Sequence, residues 1–190
     1  MTGKRALAAL AVGGWLCACT NSTQYVSSWK DPTAPAFHLT KTLAVFMTTD
    51  AGMRRMVEDR LAARLPGGVP SYRLIHDSEI SQLDSVRSHV ATGGFNGAVV
   101  MRLVSEQTAV SATSRDFYGY WGYWSSAYDP VYYTTDKFYT METSLYSLPD
   151  DKMVWMGRSQ TVDPKNANKL ADFSVNFAVN NMKKDGFIPK

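Results

Sequence analysis

Five carboxylates are the residues whose chemistry comes closest to an acid/base pair for hydrolysis. They are Glu106, Asp116, Asp129, Asp136 and Glu142, which flank the long strands predicted late in the chain. No feature of the sequence brings two of them together. A hydrolase built on these carboxylates is therefore the third of three functional hypotheses.

Other residues capable of chemistry also lack the spacing that a site needs. His38, His76 and His89 stand 38 and 13 residues apart and match no metal-binding pattern. No serine lies in a Gly-x-Ser-x-Gly elbow. The glycine pairs at 67–68 and 93–94 follow predicted helices, whereas a phosphate loop precedes one. We predict no catalytic residue, no metal and no cofactor, and we expect that the protein is not an enzyme.

Aromatic residues are concentrated in one segment, since 11 of the chain's 23 fall between positions 117 and 139. Within 117–124, two glycines break strand periodicity, which favours a loop. Tyrosine and tryptophan are common in protein interfaces and at membrane surfaces because each joins a large apolar ring to a hydrogen-bonding group. We predict a contact surface over 117–128 for a protein partner, lipid headgroups or a glycan; the alternative is that these rings cover the sheet. The predicted binding residues are Tyr118, Tyr120, Trp121, Tyr123 and Trp124.

The amino terminus has the pattern of a secretion signal. Lys4 and Arg5 precede an apolar run of 11 residues, fewer than the about 20 that a membrane-spanning helix needs. The following Leu16-Cys17-Ala18-Cys19 resembles the bacterial lipobox, whose final cysteine receives diacylglycerol. The resemblance implies a signal peptide over 1–18, cleavage between Ala18 and Cys19, and fatty acids such as palmitate on Cys19. The alternative is an ordinary signal peptide cut after Ala18.

The composition of the mature chain is consistent with a lipid-anchored protein. No cysteine follows Cys19, which excludes disulfide frameworks, cysteine metal sites and thiol catalysis. Removal of the signal leaves 20 − 2 = 18 basic against 17 acidic side chains, a net charge of +1. This balance gives no basic surface for nucleic acid. Thr20 stands where an aspartate resembles an inner-membrane retention mark, so it favours the outer membrane by resemblance. We expect the inner leaflet, on the periplasmic side.

The elements predicted from hydrophobic spacing form one α/β domain over residues 41–190, after a lipidated amino terminus and polar tether over 19–40. Their order is βαβαβββα, and helices are expected to pack on a mixed sheet that is parallel early and antiparallel late. An aromatic loop at 115–129 joins two long strands. The predicted strands cover 43–47, 71–75, 97–110, 131–148 and 153–161.

The predicted helices are defined by their caps and by residues at helical spacing. The first begins at Thr49-Asp50, and its pairs Arg54–Glu58 and Arg55–Asp59 are expected on a solvated face. The second is capped by Asp77 or Ser78. The last opens at Asp163-Pro164 and closes at Gly186, with Phe187 and Ile188 folding back over its end.

Two short motifs resemble a group of small proteobacterial envelope lipoproteins. They are Ser-Trp-x-Asp-Pro at Ser28–Pro32, where Trp29 is expected to dock on the domain, and Trp-x-Gly at Trp155–Gly157. The resemblance implies location and fold more than activity. The sequence thus predicts a non-enzymatic outer-membrane lipoprotein that contributes to envelope organisation or assembly through protein contacts. The second hypothesis is a glycan- or lipid-binding module using residues 117–128.

Replacing Cys19 with alanine tests the predicted anchor. We expect the chain made with its own signal to sediment with membranes and the Cys19→Ala variant to become soluble, because two or more acyl chains give stable anchoring. Cell fractionation with immunoblotting measures both. Soluble parent protein would contradict the lipid-anchor prediction.

Overall fold

The protein is built on one six-stranded mixed sheet. The computed structural model describes residues 23–33, 37–80, 82–112 and 133–189. The strands are β1 Thr23–Lys30, β2 Thr42–Met47, β3 Val69–Pro70, β4 Gly97–Ala112, β5 Tyr133–Ser147 and β6 Lys152–Val162. The α-helices of the described residues are α1 Ala51–Ala62, α2 Leu83–Thr92 and α3 Ala167–Lys184.

The strand order across the sheet is β1-β6-β5-β4-β2-β3. β2 runs parallel to both β3 and β4, whereas β4, β5, β6 and β1 form an antiparallel series. The predicted α/β class and the change from parallel to antiparallel pairing are therefore confirmed. No helix within the described ranges is both long and apolar enough to cross a bilayer.

The segment predicted as a polar tether contains a strand instead. Residues 23–30 form β1, which pairs antiparallel with β6 along the edge of the sheet. A bulge between Tyr25 and Ser27 shifts the register, so the strand does not show a clean two-residue period in its sequence. A turn follows the strand, because Asp31 Oδ1 accepts hydrogen bonds from the backbone N–H and hydroxyl of Thr33.

The strand predicted at 71–75 is also wrong, and a buried ion pair explains why. β3 ends at Pro70, and a 3₁₀ turn follows over Ser71–Arg73. Glu58 accepts hydrogen bonds from Phe46 N at 3.0 Å and from Tyr72 N at 2.9 Å, so one carboxylate joins the two backbones just beyond the short β2–β3 pairing. Hydrogen bonds to the Glu58 side chain thus take the place of the strand pairing that was predicted for residues 71–75.

Arg54 completes this buried network. Its guanidinium donates to Glu58 Oε1, to the hydroxyl of Ser71 and to the carbonyl of Ile75. It also pairs with Asp77 at 2.6 Å, and the predicted helix cap by Asp77 or Ser78 is absent because α2 begins only at Leu83. The expectation of a solvated Arg54–Glu58 pair is therefore wrong: the two residues are 4% and 0% exposed. The exposed Arg55 and Asp59 fit the expected solvated face.

Helices α1 and α3 cover one face of the sheet. Val57 and Leu61 of α1 and Val175 and Met182 of α3 belong to the main core cluster. On the opposite face a smaller cluster forms around Leu43, Phe95 and Ala98, with Val90 of α2 packed against it. Among the described elements, only the parallel part of the sheet thus has helices on both faces.

The end of α3 confirms the expected closure and gives the Trp-x-Gly motif a structural role. Gly186 has a positive φ of 87°, and Phe187 and Ile188 are buried against the core. The Trp155 indole donates to Asp185 Oδ2 at 2.7 Å. A Cβ at Gly157 would lie 2.5 Å from the Trp155 ring, so glycine leaves the space that this ring occupies.

Substitution of Glu58 tests whether the buried network holds α1 to the sheet. We expect Glu58→Ala to lower the free energy of unfolding by about 3–5 kcal/mol, because it removes the buried carboxylate that pairs with Arg54 and leaves the backbone N–H groups of Phe46 and Tyr72 without their acceptor. Asp59→Ala is the matched control on the same helix and should cost less than about 1 kcal/mol, since its ion pair is exposed. Urea denaturation measures both, and equal losses would contradict the assignment.

Candidate functional site

The residues predicted from sequence to carry function fall mostly outside the described part of the chain. Ala18 and Cys19 belong to the undescribed amino terminus, and Tyr118, Tyr120, Trp121, Tyr123 and Trp124 belong to residues 113–132. The strands before and after the latter segment are antiparallel neighbours, and Ala112 is paired with Tyr133. Residues 113–132 therefore connect the two strands of a long hairpin, as predicted.

The described carboxylates do not form an acid/base pair. Asp116 and Asp129 lie outside the described residues. The cross-strand register places Glu106, opposite Tyr139, and Glu142, opposite Arg102, on different faces of the sheet. Asp136 is opposite Ala109, six residues from Glu142 along β5. The structure brings no two of Glu106, Asp136 and Glu142 together.

Glu142 instead lies between two arginines from the neighbouring strands. Arg102 of β4 and Arg158 of β6 are its direct cross-strand partners. Arg102 donates through Nε and Nη2 to Oε1 at 2.8 and 2.6 Å, and Arg158 donates through Nε to Oε2 at 2.7 Å. The Glu142 side chain is only 7% exposed, while those of Arg102 and Arg158 are 54% and 42% exposed. The two guanidinium groups thus shield the carboxylate and remain accessible themselves.

These contacts lower the pKa of Glu142. Burial alone acts in the opposite direction and raises it, but the hydrogen bonds and positive charges of Arg102 and Arg158 together outweigh burial. Glu142 is therefore held as a carboxylate rather than as a proton donor. The pKa of Tyr139 is raised, chiefly because its hydroxyl donates a hydrogen bond to Glu106.

The Arg102–Glu142–Arg158 group belongs to the face of the sheet opposite α1 and α3, which we call the open face. Two neighbouring rows of cross-strand partners define it. The first row is Met47, Arg102, Glu142, Arg158 and Ser27, and the second is Val45, Val100, Ser144, Met156 and Trp29. Among the described elements, no helix packs on the β5, β6 and β1 part of this face.

The open face has the composition of a binding surface. Tryptophan, methionine and arginine are enriched in protein interfaces, and Trp29, Met47, Met156, Arg102 and Arg158 all lie on its two rows. Met47 is 61% exposed and Trp29 is 42% exposed. The expected docking of Trp29 onto the domain is thus only partial. The sequence gives one signal for this surface. Arg102, Glu142 and Arg158 are charged, whereas most other residues of the two rows are apolar or carry a hydroxyl group.

The three histidines lie on separate parts of the structure. His38 bonds through Nδ1 to the carbonyl of Gly186, and His89 is on α2 with its Nδ1 buried and without a hydrogen-bond partner. His76 is exposed beyond the 3₁₀ turn. Within residues 23–33, 37–80, 82–112 and 133–189, no group of three or more metal-ligating side chains is close enough to hold an ion.

Comparison with known proteins leaves the family open. No protein family and no curated protein matches the chain. Two solved structures of PelC dodecamers from Paraburkholderia phytofirmans, one of them a variant, are each 12% identical. They cover 80% and 79% of this chain and 90% and 88% of theirs, with TM-scores of 0.42 and 0.40.

Acid titration of stability tests the role of Glu142. A lowered folded-state pKa stabilises the protein above the unfolded value of about 4.3, and this contribution disappears as pH falls through the folded pKa. We expect Glu142→Gln to cost about 1–2 kcal/mol at pH 7, an estimate reduced for the exposure of both arginines. The gap to the parent should close in acid.

Urea unfolding at a series of pH values measures that gap. Glu106→Gln is the matched control, because Glu106 accepts a hydrogen bond but has no arginine partner in the described structure. A gap that stays constant down to acid pH would contradict the role assigned to the Glu142 carboxylate.

Proposed function

We propose that the protein is a lipid-anchored component of the bacterial outer membrane, facing the periplasm, that contributes to envelope organisation or assembly through protein contacts. The open face is the surface that makes these contacts. The observation that carries the proposal is the pair of cross-strand rows in which Met47, Met156 and two arginines lie on the face of the sheet opposite α1 and α3.

The geometry of the rows favours a protein partner. Apolar side chains from β2 and β6 stand beside guanidinium groups that are already oriented by Glu142. Orientation before binding matters because each side chain that is immobilised on association costs about 0.5–1.5 kcal/mol. Held arginines therefore lose less entropy on binding than free ones.

The charges of the open face indicate the chemistry of its partner. Within the two rows, two arginines face one glutamate, which leaves one positive charge without a matching carboxylate. A partner with one or more carboxylates around an apolar centre complements this pattern. Carboxylates bind guanidinium groups through paired N–H···O bonds, which also fixes the orientation of the complex.

The lipid anchor rests on the Leu16–Cys19 lipobox and is consistent with the position of β1. β1 begins at Thr23, four residues after Cys19, and it belongs to the sheet itself. Lipid on Cys19 would therefore hold the folded domain at the membrane, without a long tether. A glycan- or lipid-binding surface in the aromatic segment 117–128 stays a hypothesis that is based on the sequence alone.

A photo-crosslinking phenylalanine analogue tests the open face in cells. We expect Met47 replaced by this analogue to form a discrete adduct with a protein after irradiation, because the Met47 side chain is 61% exposed on the first row. Ile80 is the matched control, since it is also apolar and is 52% exposed, but it lies outside the sheet. Immunoblotting for the shifted band measures the adduct.

The charge of the partner supplies the second criterion. An adduct specific to position 47 should disappear when Arg102 and Arg158 are both replaced with glutamine, provided that the variant still unfolds cooperatively. Equal adducts at 47 and 80, or an adduct indifferent to both arginines, would contradict the open face as the contact surface.

A further inference from the structure

The sheet has two edges, and among the described residues only the β3 edge has features that limit pairing with another chain. β3 is two residues long and ends in Pro70, and short strands and proline both limit pairing with another chain. β1 is eight residues long and is paired only with β6. Its first seven residues, from Thr23 to Trp29, carry no charge. An uncharged edge of this length needs a cover.

Three large apolar or aromatic side chains of β1 are exposed. Tyr25, Val26 and Trp29 are 57%, 49% and 42% exposed. Tyr25 contacts Phe177 of α3, with ring centroids 6.1 Å apart, so it lies on the helical face. Trp29 is paired with Met156 on the open face, and Val26 occupies the bulge between the two. Together they straddle the edge of the sheet.

The distance between this edge and Cys19 is limited by covalent geometry. Thr23 is four positions after Cys19, and an extended chain advances at most about 3.6 Å per residue, so the two are at most about 14 Å apart. Acyl chains on Cys19 would therefore bring the beginning of β1 to the headgroup region of the membrane. Tyrosine and tryptophan are the side chains enriched in that region.

Basic groups at the other end of β1 complement anionic headgroups. Lys30 Nζ donates to the carbonyl of Asp185 at 2.8 Å, which brings it to the end of α3. Lys183 and Lys184 form the last turn of that helix and are exposed. The Asp185 carboxylate is occupied by the Trp155 indole. Lys30 and the two lysines of the last turn of α3 thus form a basic group near the Lys30 end of β1.

We infer that the domain stands edge-on on the membrane, with β1 against the lipid surface and Tyr25, Val26 and Trp29 in contact with it. In this orientation the sheet rises from the bilayer, and the β4–β6 part of the open face remains accessible to a protein. The inference rests on the proposed lipid anchor on Cys19. A second copy pairing with β1 is the competing cover.

The test couples the chain from Cys19 to Lys190, made without its signal, through the Cys19 thiol to a maleimide phospholipid. The vesicles contain phosphatidylethanolamine and phosphatidylglycerol. The photo-crosslinking phenylalanine analogue replaces Val26 or Trp29 in two variants. Met47 and Val104 are the matched controls, being apolar side chains that are 61% and 44% exposed on other strands. Mass spectrometry after irradiation identifies lipid or protein adducts.

We expect lipid adducts at positions 26 and 29 and none at positions 47 and 104. Absence of lipid adducts from β1, equal lipid adducts at all four positions, or chain-to-chain adducts from β1 would each overturn the inference. Chemical coupling makes this result independent of lipidation in the cell. Fractionation of the Cys19→Ala variant tests that step separately, so failure of the anchor and failure of the edge-on orientation are distinguishable.

Discussion

The structure depends on the different requirements of parallel and antiparallel strands. A parallel sheet is buried on both faces, whereas an antiparallel sheet tolerates one solvated face. In this protein, α1 covers one face of the β2–β4 part and Val90 of α2 packs on the other. The antiparallel strands β5, β6 and β1 have only α3 on one face. The second face there is left without a helix among the described elements, and that surface is where charged residues can lie in mid-strand.

Glu142 shows how the sheet keeps a carboxylate in that position. A buried charge without partners is expensive, but two arginines from adjacent strands satisfy it and shield it from water. The same contacts orient both guanidinium groups outwards beside Met156 and Trp29. In the function that we propose, stability and binding therefore share one set of side chains. The edge strand joins the folded sheet directly to the segment that carries Cys19, and we infer that it contacts the membrane.

The sequence predicts those parts of the fold that depend on local signals. Asp50 caps α1 through its side chain, as expected, and the long strands β4, β5 and β6 follow their hydrophobic patterns. The predictions fail where contacts between residues distant in the sequence determine the local structure. Arg54 and Glu58 look like an exposed helix pair, yet their contacts with Ser71, Tyr72 and Asp77 replace a strand and remove a helix cap. The bulge at Val26 interrupts the two-residue period of β1, so the sequence pattern does not reveal this strand. The open face could not be predicted, because its residues converge only through the register of five strands.

The proposed function depends most on Cys19 as the point of membrane attachment. Intact mass spectrometry of the chain, expressed with its own signal and extracted from membranes in detergent, tests this attachment. We expect a chain beginning at Cys19 whose mass exceeds that of its residues by a diacylglycerol group and additional acyl mass. An unmodified chain beginning at Cys19, recovered from the soluble fraction, would contradict it.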